Sequence, residues 1–301
     1  MTSNNDEVTS PPPFGFSRKP QSHRSFGVPE DHNTTVPSGF PEDHKATVPS
    51  GFPEGHNTHY IIITPIPRTK IEGALTMKVI CLSDTNCVVS NYMAQLRDAQ
   101  IQQNHPGFRR NLTRIAQTMA YELSKTLDYS PKAVQTPLAT AQVNTSDNRI
   151  VVGTVLRAGL AFHEGFLQMF DDAEAGFVAA YRVESAEAQN QKAGDVEIKL
   201  EYLAAPHLDG CTFLLVDPML ATGKSFVTAY KAFLRNGTPA RLHLCAVIAS
   251  QQGIEYLKEQ FPSDDVTLWV AAIDPTLNDA SYIVPGLGDA GDLCFGEKIS
   301  H

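Results

Sequence analysis

The sequence predicts an α/β domain built around a mostly parallel sheet with helices on its faces. Two observations support this fold class. After residue 148, short apolar and β-branched runs alternate with helix-like stretches, which is the order of elements in a parallel sheet. One run, residues 211–216, is almost continuously apolar and leads into Asp217, as expected of a strand buried on both faces.

Two helices are predicted before this alternating region. The first covers residues 90–103 and is interrupted by the sequence His105-Pro106-Gly107. The second follows that interruption, because its apolar residues recur at a spacing of three to four. These residues are Phe108, Leu112, Ile115, Met119 and Leu123.

The alternating region itself contains six predicted strands and three predicted helices. The strands cover residues 150–156, 176–181, 196–202, 211–216, 242–248 and 266–273. The helices cover residues 161–170, 224–234 and 254–261. Ligands of open α/β sheets bind at the carboxyl ends of the strands, so the segment after residue 216 is the first site candidate.

The N-terminal region differs from the rest in composition. A short Pro-containing unit recurs, with Gly27, Gly39 and Gly51 at intervals of twelve residues. The units carry too little apolar surface to offset the entropy of ordering them. We therefore expect residues 1–59 to form a disordered tail and residues 60–301 to form the domain. A weak metal site at the recurring histidines of the tail is the less favoured interpretation.

Composition limits the partners and the compartment. The net charge of −9 argues against nonspecific binding of nucleic acid. The five cysteines lack metal-type or framework spacing, which indicates reduced thiols in a cytosol. No apolar run is long enough to span a membrane, and the N-terminus lacks the apolar core of a secretory signal. We expect a cytoplasmic protein.

The stretch LLVDPMLATGKSF, residues 214–226, has the chemistry of a phosphate site. It is not a nucleotide-hydrolase loop, because that loop needs glycine where Pro218 stands. Backbone N–H groups of residues 221–225 at a helix start favour a phosphate, and Thr222 and Ser225 add hydroxyl donors. A carboxylate repels phosphate but accepts hydrogen bonds from sugar hydroxyls, so Asp217 suits a ribose. A helix start capped by small residues is the alternative interpretation.

Four stretches together resemble the uracil phosphoribosyltransferases, which have the type I phosphoribosyltransferase fold. They are VDPMLATGKS at 216–225, GTVLRAGL at 153–160, AAYR at 179–182 and YIVPGLGDAGD at 282–292. The similarity runs from about Ser90 to the C-terminus. It implies a central parallel sheet flanked by helices, with a flexible arm at 184–195 and a small C-terminal hood. The implied enzyme transfers a phosphoribosyl group to uracil in pyrimidine salvage.

The resemblance also implies residue roles. Asp217, Arg157 and Asp289 would be the catalytic residues, and uracil would be bound by Ile283, Gly288, Asp289 and Ala290. The phosphoribosyl diphosphate site would comprise Arg157, Arg182, Asp217, Pro218, Met219, Leu220, Ala221, Thr222, Gly223, Lys224, Ser225 and Asp289. Many uracil enzymes have glycine where this sequence has Lys224.

The same resemblance implies the cofactor and assembly. Mg²⁺ would screen the diphosphate, and the chain would supply no dedicated metal site. The substrates would be phosphoribosyl diphosphate and uracil, GTP would be a candidate effector, and the protein would be a homodimer or a higher homo-oligomer. Purine-using relatives often carry acids where Pro218 and Ala221 stand. Without a base in this loop, we expect a dissociative reaction in which the diphosphate leaves before uracil attacks.

Two other functions are compatible with the sequence. One is a regulatory binding protein that keeps the phosphoribosyltransferase fold with little catalysis, since a fold alone does not determine function. The other is a nucleoside kinase with a phosphate loop, which Pro218 disfavours. An assay for nucleotide formation from uracil separates all three.

Overall fold

The computed structural model of the chain describes residues 76–182 and 198–297. The predicted tail at 1–59, the first residues of the predicted domain and the predicted arm at 184–195 lie outside the described residues.

The elements follow one another in the order that the sequence indicated, with additional short strands. The N-terminal half contains β1 (Lys78–Cys81), α1 (Val88–Arg97), α2 (His105–Ser124), β2 (Ser130–Gln135), β3 (Thr140–Thr145), β4 (Ile150–Leu156), α3 (Gly159–Leu167) and β5 (Glu174–Arg182). The C-terminal half contains β6 (Ile198–Ala204), β7 (Thr212–Val216), β8 (Met219–Leu220), α4 (Lys224–Phe233), β9 (Arg241–Ser250), α5 (Gln251–Gln260), β10 (Val266–Asp274), β11 (Thr276–Leu277), β12 (Ile283–Val284) and α6 (Ala290–Phe295).

The central sheet confirms the predicted fold class. Its strand order is β1-β10-β9-β7-β4-β5-β6, and the short β8 lies off this path and pairs with β9. Neighbouring strands are parallel except for β5 and β6, which are antiparallel. Parallel neighbours place their carboxyl ends on one edge, and that edge carries the site described below.

Apolar side chains cover both faces of the sheet. Along β7, Phe213 and Leu215 join one core cluster while Leu214 and Val216 join the other. This follows from the two-residue period of a strand. The cluster of Leu214 and Val216 contains buried residues of α1, α2 and α3, and the cluster of Phe213 and Leu215 contains buried residues of α4 and α5. Strands buried on both faces explain why the sequence shows continuous apolar runs here.

The boundaries of the first two helices differ from the prediction. Helix α1 ends at Arg97 rather than at residue 103. The Asp98 carboxylate accepts hydrogen bonds from the N–H groups of Gln100 and Ile101, which turns the chain out of the helix. His105-Pro106-Gly107 is the first turn of α2 rather than an interruption. Proline is tolerated there, and Asn104 caps the turn by accepting from the Gly107 N–H.

The strands β1, β2, β3, β8, β11 and β12 and the helix α6 were not predicted. Strands β2 and β3 form an antiparallel hairpin of their own, and β2 is exposed along its whole length, so it lacks the alternation that signals a strand. The C-terminal motif was predicted to be a loop throughout, but residues 290–295 form α6. Among the described helices, none combines the length and apolar character that crossing a membrane requires.

Candidate active site

The site lies where the central parallel strands end. Strands β4 and β7 are direct neighbours, and β9 and β10 follow on the other side of β7. Arg157 comes directly after β4, Asp217 directly after β7, and Asp274 is the last residue of β10. Three residues that are 57 to 117 positions apart in the sequence therefore lie along one edge of the sheet.

Asp217 is held by the turn that leaves β7. Its main-chain N–H donates to the carbonyl of Cys245 at 3.0 Å, which keeps the end of β7 attached to β9. Its Oδ1 accepts from the Met219 N–H at 3.1 Å. The half-buried carboxylate is thus oriented by its own loop at the predicted position.

The loop after Asp217 is anchored to β9 and α5. The buried Pro218 presents a carbonyl that accepts from the N–H groups of Val247 and Ile248, both at 3.0 Å. Residues Met219 and Leu220 then form β8 alongside β9. At the far end, the Ser250 hydroxyl donates to the Ala221 carbonyl at 2.6 Å and also accepts from the Gly253 N–H at 2.8 Å. A serine that sequence reasoning did not identify therefore holds the loop.

Helix α4 begins at Lys224, as predicted, with Gly223 as its N-cap at φ +79°. Of residues 221–225, whose N–H groups were expected to open the helix, only Lys224 and Ser225 lie in its first turn. The free N–H groups of a first turn carry the positive end of the helix dipole. Thr222 and Ser225 are half-buried on either side of this start. The arrangement suits a phosphate at the end of the loop.

Arg157 joins the turn after β4 to the C-terminal segment. One guanidinium nitrogen donates to Asp292 Oδ1 at 2.7 Å, and the other donates to the Gly296 carbonyl at 3.0 Å. The pair is half-buried. Asp292 lies inside the motif that carried the resemblance, but no role had been predicted for it. Arg157, which was predicted to bind the diphosphate, is thus also bonded to the C-terminal segment 276–297, which we call the hood.

The predicted uracil residues all lie in the hood. Ile283 is buried in β12, which pairs with β11, and Gly288 is exposed at φ +87°. Asp289 is the N-cap of α6, where its Oδ1 accepts from the Asp292 N–H at 3.0 Å. Ala290 is buried and opens that helix rather than continuing a loop.

The ion pair between Arg97 and Asp274, next to the hood, was not predicted from the sequence. Arg97 of α1 donates to both carboxylate oxygens of Asp274, at 2.7 and 2.8 Å, and to the carbonyl of Gly286 at 3.0 Å. Burial raises the pKa of Asp274, but the hydrogen bonds from Arg97 and from the Gly286 N–H outweigh it and leave the pKa below its usual value. Asp274 follows a predicted strand, as Asp217 does, and that signal could have identified it.

The structure places Arg157 and Asp217 directly after the neighbouring strands β4 and β7, and it joins Arg157 to the C-terminal motif through Asp292. Arg182 is the last residue of β5, and its side chain lies outside the described part of the chain. Within the described ranges, no group of three or more His, Cys, Asp or Glu side chains could hold a metal ion. Asp217 and Asp289 are hard oxygen donors. One or two carboxylates combined with substrate phosphates are the usual way in which proteins bind Mg²⁺.

Comparison with known proteins agrees with this geometry. A family model described as uracil phosphoribosyltransferase matches residues 82–297. A uracil phosphoribosyltransferase of Porphyromonas gingivalis is 44% identical over 223 residues, which is 74% of this chain and 100% of the relative. One of Pyrococcus furiosus is 39% identical over 195 residues, covering 64% of this chain and 80% of the relative. The solved structure of the AQ2163 protein from Aquifex aeolicus superposes with a TM-score of 0.63 at 28% identity, over 74% of this chain and 100% of that chain.

Proposed function

Because the chain belongs to the uracil phosphoribosyltransferase family, we propose that it transfers the 5-phosphoribosyl group of phosphoribosyl diphosphate to uracil, giving uridine monophosphate and diphosphate in pyrimidine salvage. The observation that carries this proposal is the common edge of β4 and β7. Arg157 and Asp217 directly follow these two paired strands, and α4 starts at the end of the loop that Asp217 opens. A carboxylate beside an anion-binding helix start matches a ribose 5-phosphate.

Each part of the donor substrate has a matching group. In our proposal, Asp217 accepts hydrogen bonds from the ribose hydroxyls, and the loop from Met219 to Ser225 binds the 5-phosphate through its main chain and hydroxyls. Arg157 and Arg182 bind the diphosphate, since a guanidinium can engage phosphate oxygens through two donors. Asp289 approaches the ribosyl diphosphate from the hood, and Pro218 anchors the loop.

Main-chain groups of the hood read the base. Uracil presents two carbonyl acceptors and N–H donors in a fixed pattern, which the backbone of Ile283, Gly288 and Ala290 would match. Cytosine replaces one carbonyl with an amino group and would leave a buried polar group unpaired, which is costly. We therefore propose selectivity for uracil over cytosine and over purines.

The chemistry follows from charge. The loop carries no second carboxylate, because Pro218 and Ala221 occupy those positions. Departure of the diphosphate creates positive charge at the ribosyl carbon, and the nearby Asp217 carboxylate stabilises that charge. The cationic Arg157 stabilises the leaving group. N1 of the uracil held by the hood then attacks the ribosyl carbon, and the N1 proton passes to the departing diphosphate. Mg²⁺, when bound with the diphosphate, neutralises part of its charge.

The proposal has four further parts. Mg²⁺ is the cofactor, the protein is a homodimer or a higher homo-oligomer, and GTP is a candidate effector, as in some relatives. These three parts rest on the resemblance to the family. A cytoplasmic location is supported by the five cysteines, which are all free thiols and therefore suit a reducing compartment.

One assay tests the proposal. The full-length protein is mixed with Mg²⁺, phosphoribosyl diphosphate and labelled uracil, and uridine monophosphate is quantified. We expect turnover of uracil and little or none of cytosine, hypoxanthine or adenine. Binding of the substrates without turnover would favour a regulatory protein, and comparable turnover of a purine would contradict the assignment.

Lys224 separates this proposal from a nucleotide-hydrolase loop. If the loop bound ATP, Lys224→Gly would abolish activity, because that lysine contacts the nucleotide phosphates. In a ribose-phosphate pocket, glycine restores a residue that is common in uracil enzymes. We therefore expect the folded Lys224→Gly protein to retain substantial uracil transfer. A folded variant with near-zero transfer would count against the pocket.

A further inference from the structure

The main chain of the hood is held by side chains from a distant segment. Arg97 donates to the Gly286 carbonyl at 3.0 Å. With its amide nitrogen facing the carbonyls, Gln102 donates to Leu287 and Leu96, both at 2.9 Å. His105 Nδ1 lies 2.6 Å from the Leu293 carbonyl, and Arg109 donates to the carbonyl of Cys294. Residues 97–109 therefore contact four carbonyls of residues 286–294.

Gly286 is the most constrained of these positions. Its N–H donates to Asp274 Oδ2 at 2.8 Å, and the same carboxylate receives Arg97. Both main-chain polar groups of Gly286 are thus bound by one ion pair. The backbone there has φ +64°, and a Cβ would lie 2.0 Å from the Ile283 carbonyl. The chain therefore folds back on Ile283 at this point, and only glycine fits.

Gly286 and Leu287 lie between the residues proposed to read uracil. Ile283 precedes them and Gly288 follows them directly. A displacement of Gly286 would therefore move both sides of the surface that contacts the base. The ribose-phosphate loop is attached elsewhere, through Val247, Ile248 and Ser250. The ribose-phosphate loop and the turn at Gly286 therefore have separate supports, while Arg157 is bonded to a later part of the hood.

Burying an ion pair costs desolvation free energy, so stability alone does not explain why one is used to hold this loop. Asp274 has a side chain only 5% exposed, so its charge is removed from water. Apolar side chains of similar size often stabilise a protein as well as a buried pair does. The bidentate contact also fixes the orientation of the two side chains, because the planar guanidinium donates to both carboxylate oxygens. A binding surface made of main-chain groups needs such a fixed orientation, because its N–H and C=O groups must point at the ligand.

We propose that Arg97, acting through Asp274 and Gly286 and assisted by Gln102, is a positioning residue that sets the affinity of the enzyme for the pyrimidine base. This inference rests on the proposed function. It assigns to α1 a role in base binding that is separate from binding of the ribosyl diphosphate.

The experiment compares Arg97→Lys with Arg149→Lys. Lysine keeps the charge at position 97 but loses the two-pronged contact. Arg149 is a matched control at the opposite end of the strands, because it also contacts a carboxylate, Glu174 at 2.7 Å, and a carbonyl, His207 at 2.6 Å. We expect Arg97→Lys to raise the KM for uracil about 10- to 100-fold. The KM for phosphoribosyl diphosphate should change less than about twofold, and Arg149→Lys should change neither KM.

Gln102→Met provides a second variant that removes a single neutral donor. It should raise the KM for uracil in the same direction by about threefold. If Arg97→Lys does not fold, this variant decides the question. Circular dichroism and the melting temperature establish folding in each case.

The outcomes separate the two hypotheses. A wild-type protein that transfers no uracil contradicts the proposed function, and this inference with it. An active wild type with a folded Arg97→Lys whose KM for uracil is unchanged overturns the inference alone. So does an equal rise in the KM values of both substrates, because that result indicates a general structural role.

Discussion

The Asp217 carboxylate, at the end of β7, has one observed contact and one proposed contact. One of its oxygens orients the loop by accepting from the Met219 N–H, and in the proposed reaction the carboxylate also binds ribose. An asparagine oxygen can accept the same Met219 hydrogen bond, so the loop should survive the substitution. The negative charge, in contrast, cannot be replaced.

The first prediction is that Asp217→Asn folds but loses turnover. Charge-assisted hydrogen bonds contribute roughly 1.5–3 kcal/mol each, so kcat/KM for phosphoribosyl diphosphate should fall about 10- to 100-fold. Part of the loss should appear in kcat, because the interaction strengthens as the ribosyl centre becomes positive. The KM for uracil should change less. Steady-state kinetics with each substrate varied in turn checks this, and a loss confined to uracil binding would refute the role of Asp217.

At the scale of the element, Ser250 connects two structures. It caps α5 by accepting from Gly253, and it holds the end of the phosphate loop by donating to Ala221. Gly253 lies so close that a Cβ there would meet the Ala221 carbonyl at 2.2 Å. The start of α5 therefore fixes where the loop before α4 passes.

The second prediction compares Ser250→Ala with Asn104→Ala. Both remove an N-cap side chain, which costs about 1 kcal/mol of stability, and both should lower the melting temperature by a few degrees. Only Ser250→Ala also releases the Ala221 carbonyl. It should therefore raise the KM for phosphoribosyl diphosphate several-fold, whereas Asn104→Ala should not. An equal effect of both variants on that KM would show that the loop does not depend on Ser250.

The sequence predicts the sheet better than it predicts the supports of the site. Strand β4 was predicted to the residue, because its continuous apolar run is long and bounded by polar residues. Asp217 was identified because it follows a predicted strand, whereas Arg157 was identified only through the resemblance to the uracil phosphoribosyltransferases. Arg97 gave no such signal, since an arginine at the end of an amphipathic helix usually faces solvent. Its partner, Asp274, is 177 residues away in the sequence. A contact between residues so far apart is determined by tertiary packing, which no local sequence pattern reveals.

At the scale of the whole molecule, one buried histidine makes stability depend on pH. His243 accepts from the indole N–H of Trp269 at 3.1 Å through its Nδ1, and within the described residues its Nε2 has no hydrogen-bond partner. Burial, together with the charge of Arg241, lowers the pKa of His243 to about 4. The unfolded chain binds a proton at about pH 6.5, but the folded chain does not until about pH 4.

The third prediction follows from this difference. Stability from His243 is complete above about pH 6.5 and decreases as the pH falls towards 4, because only the unfolded state binds the proton in that interval. At pH 5 the loss should be about 2 kcal/mol. His243→Asn keeps an acceptor for Trp269 and should show a smaller decrease between pH 7 and pH 5. Urea unfolding followed by the fluorescence of Trp269, the single tryptophan, measures it.

The exposed His207 supplies the control for that experiment. Its side chain is 64% exposed, so His207→Asn should reproduce the wild-type pH dependence. If His243→Asn keeps the full decrease in stability on acidification, the dependence originates in other groups.

The fourth prediction concerns the N-terminal repeats. Their composition offers too few apolar side chains for a core, so deletion of residues 2–58 should leave the melting temperature and the uracil turnover nearly unchanged. Calorimetry and the transfer assay on the shortened protein provide the measurement. A large drop in melting temperature would mean that the segment packs against the domain.

The attachment of the hood to α1 also bears on how the protein matures. Arg97 reaches Gly286 across 189 positions of the chain, so the two can meet only after the hood has left the ribosome. Contacts this distant form late, because a long loop must first be closed. A nascent chain without the hood could build much of the sheet, yet it would lack the proposed surface for the base. The proposed base site would therefore be completed only when the hood docks against α1.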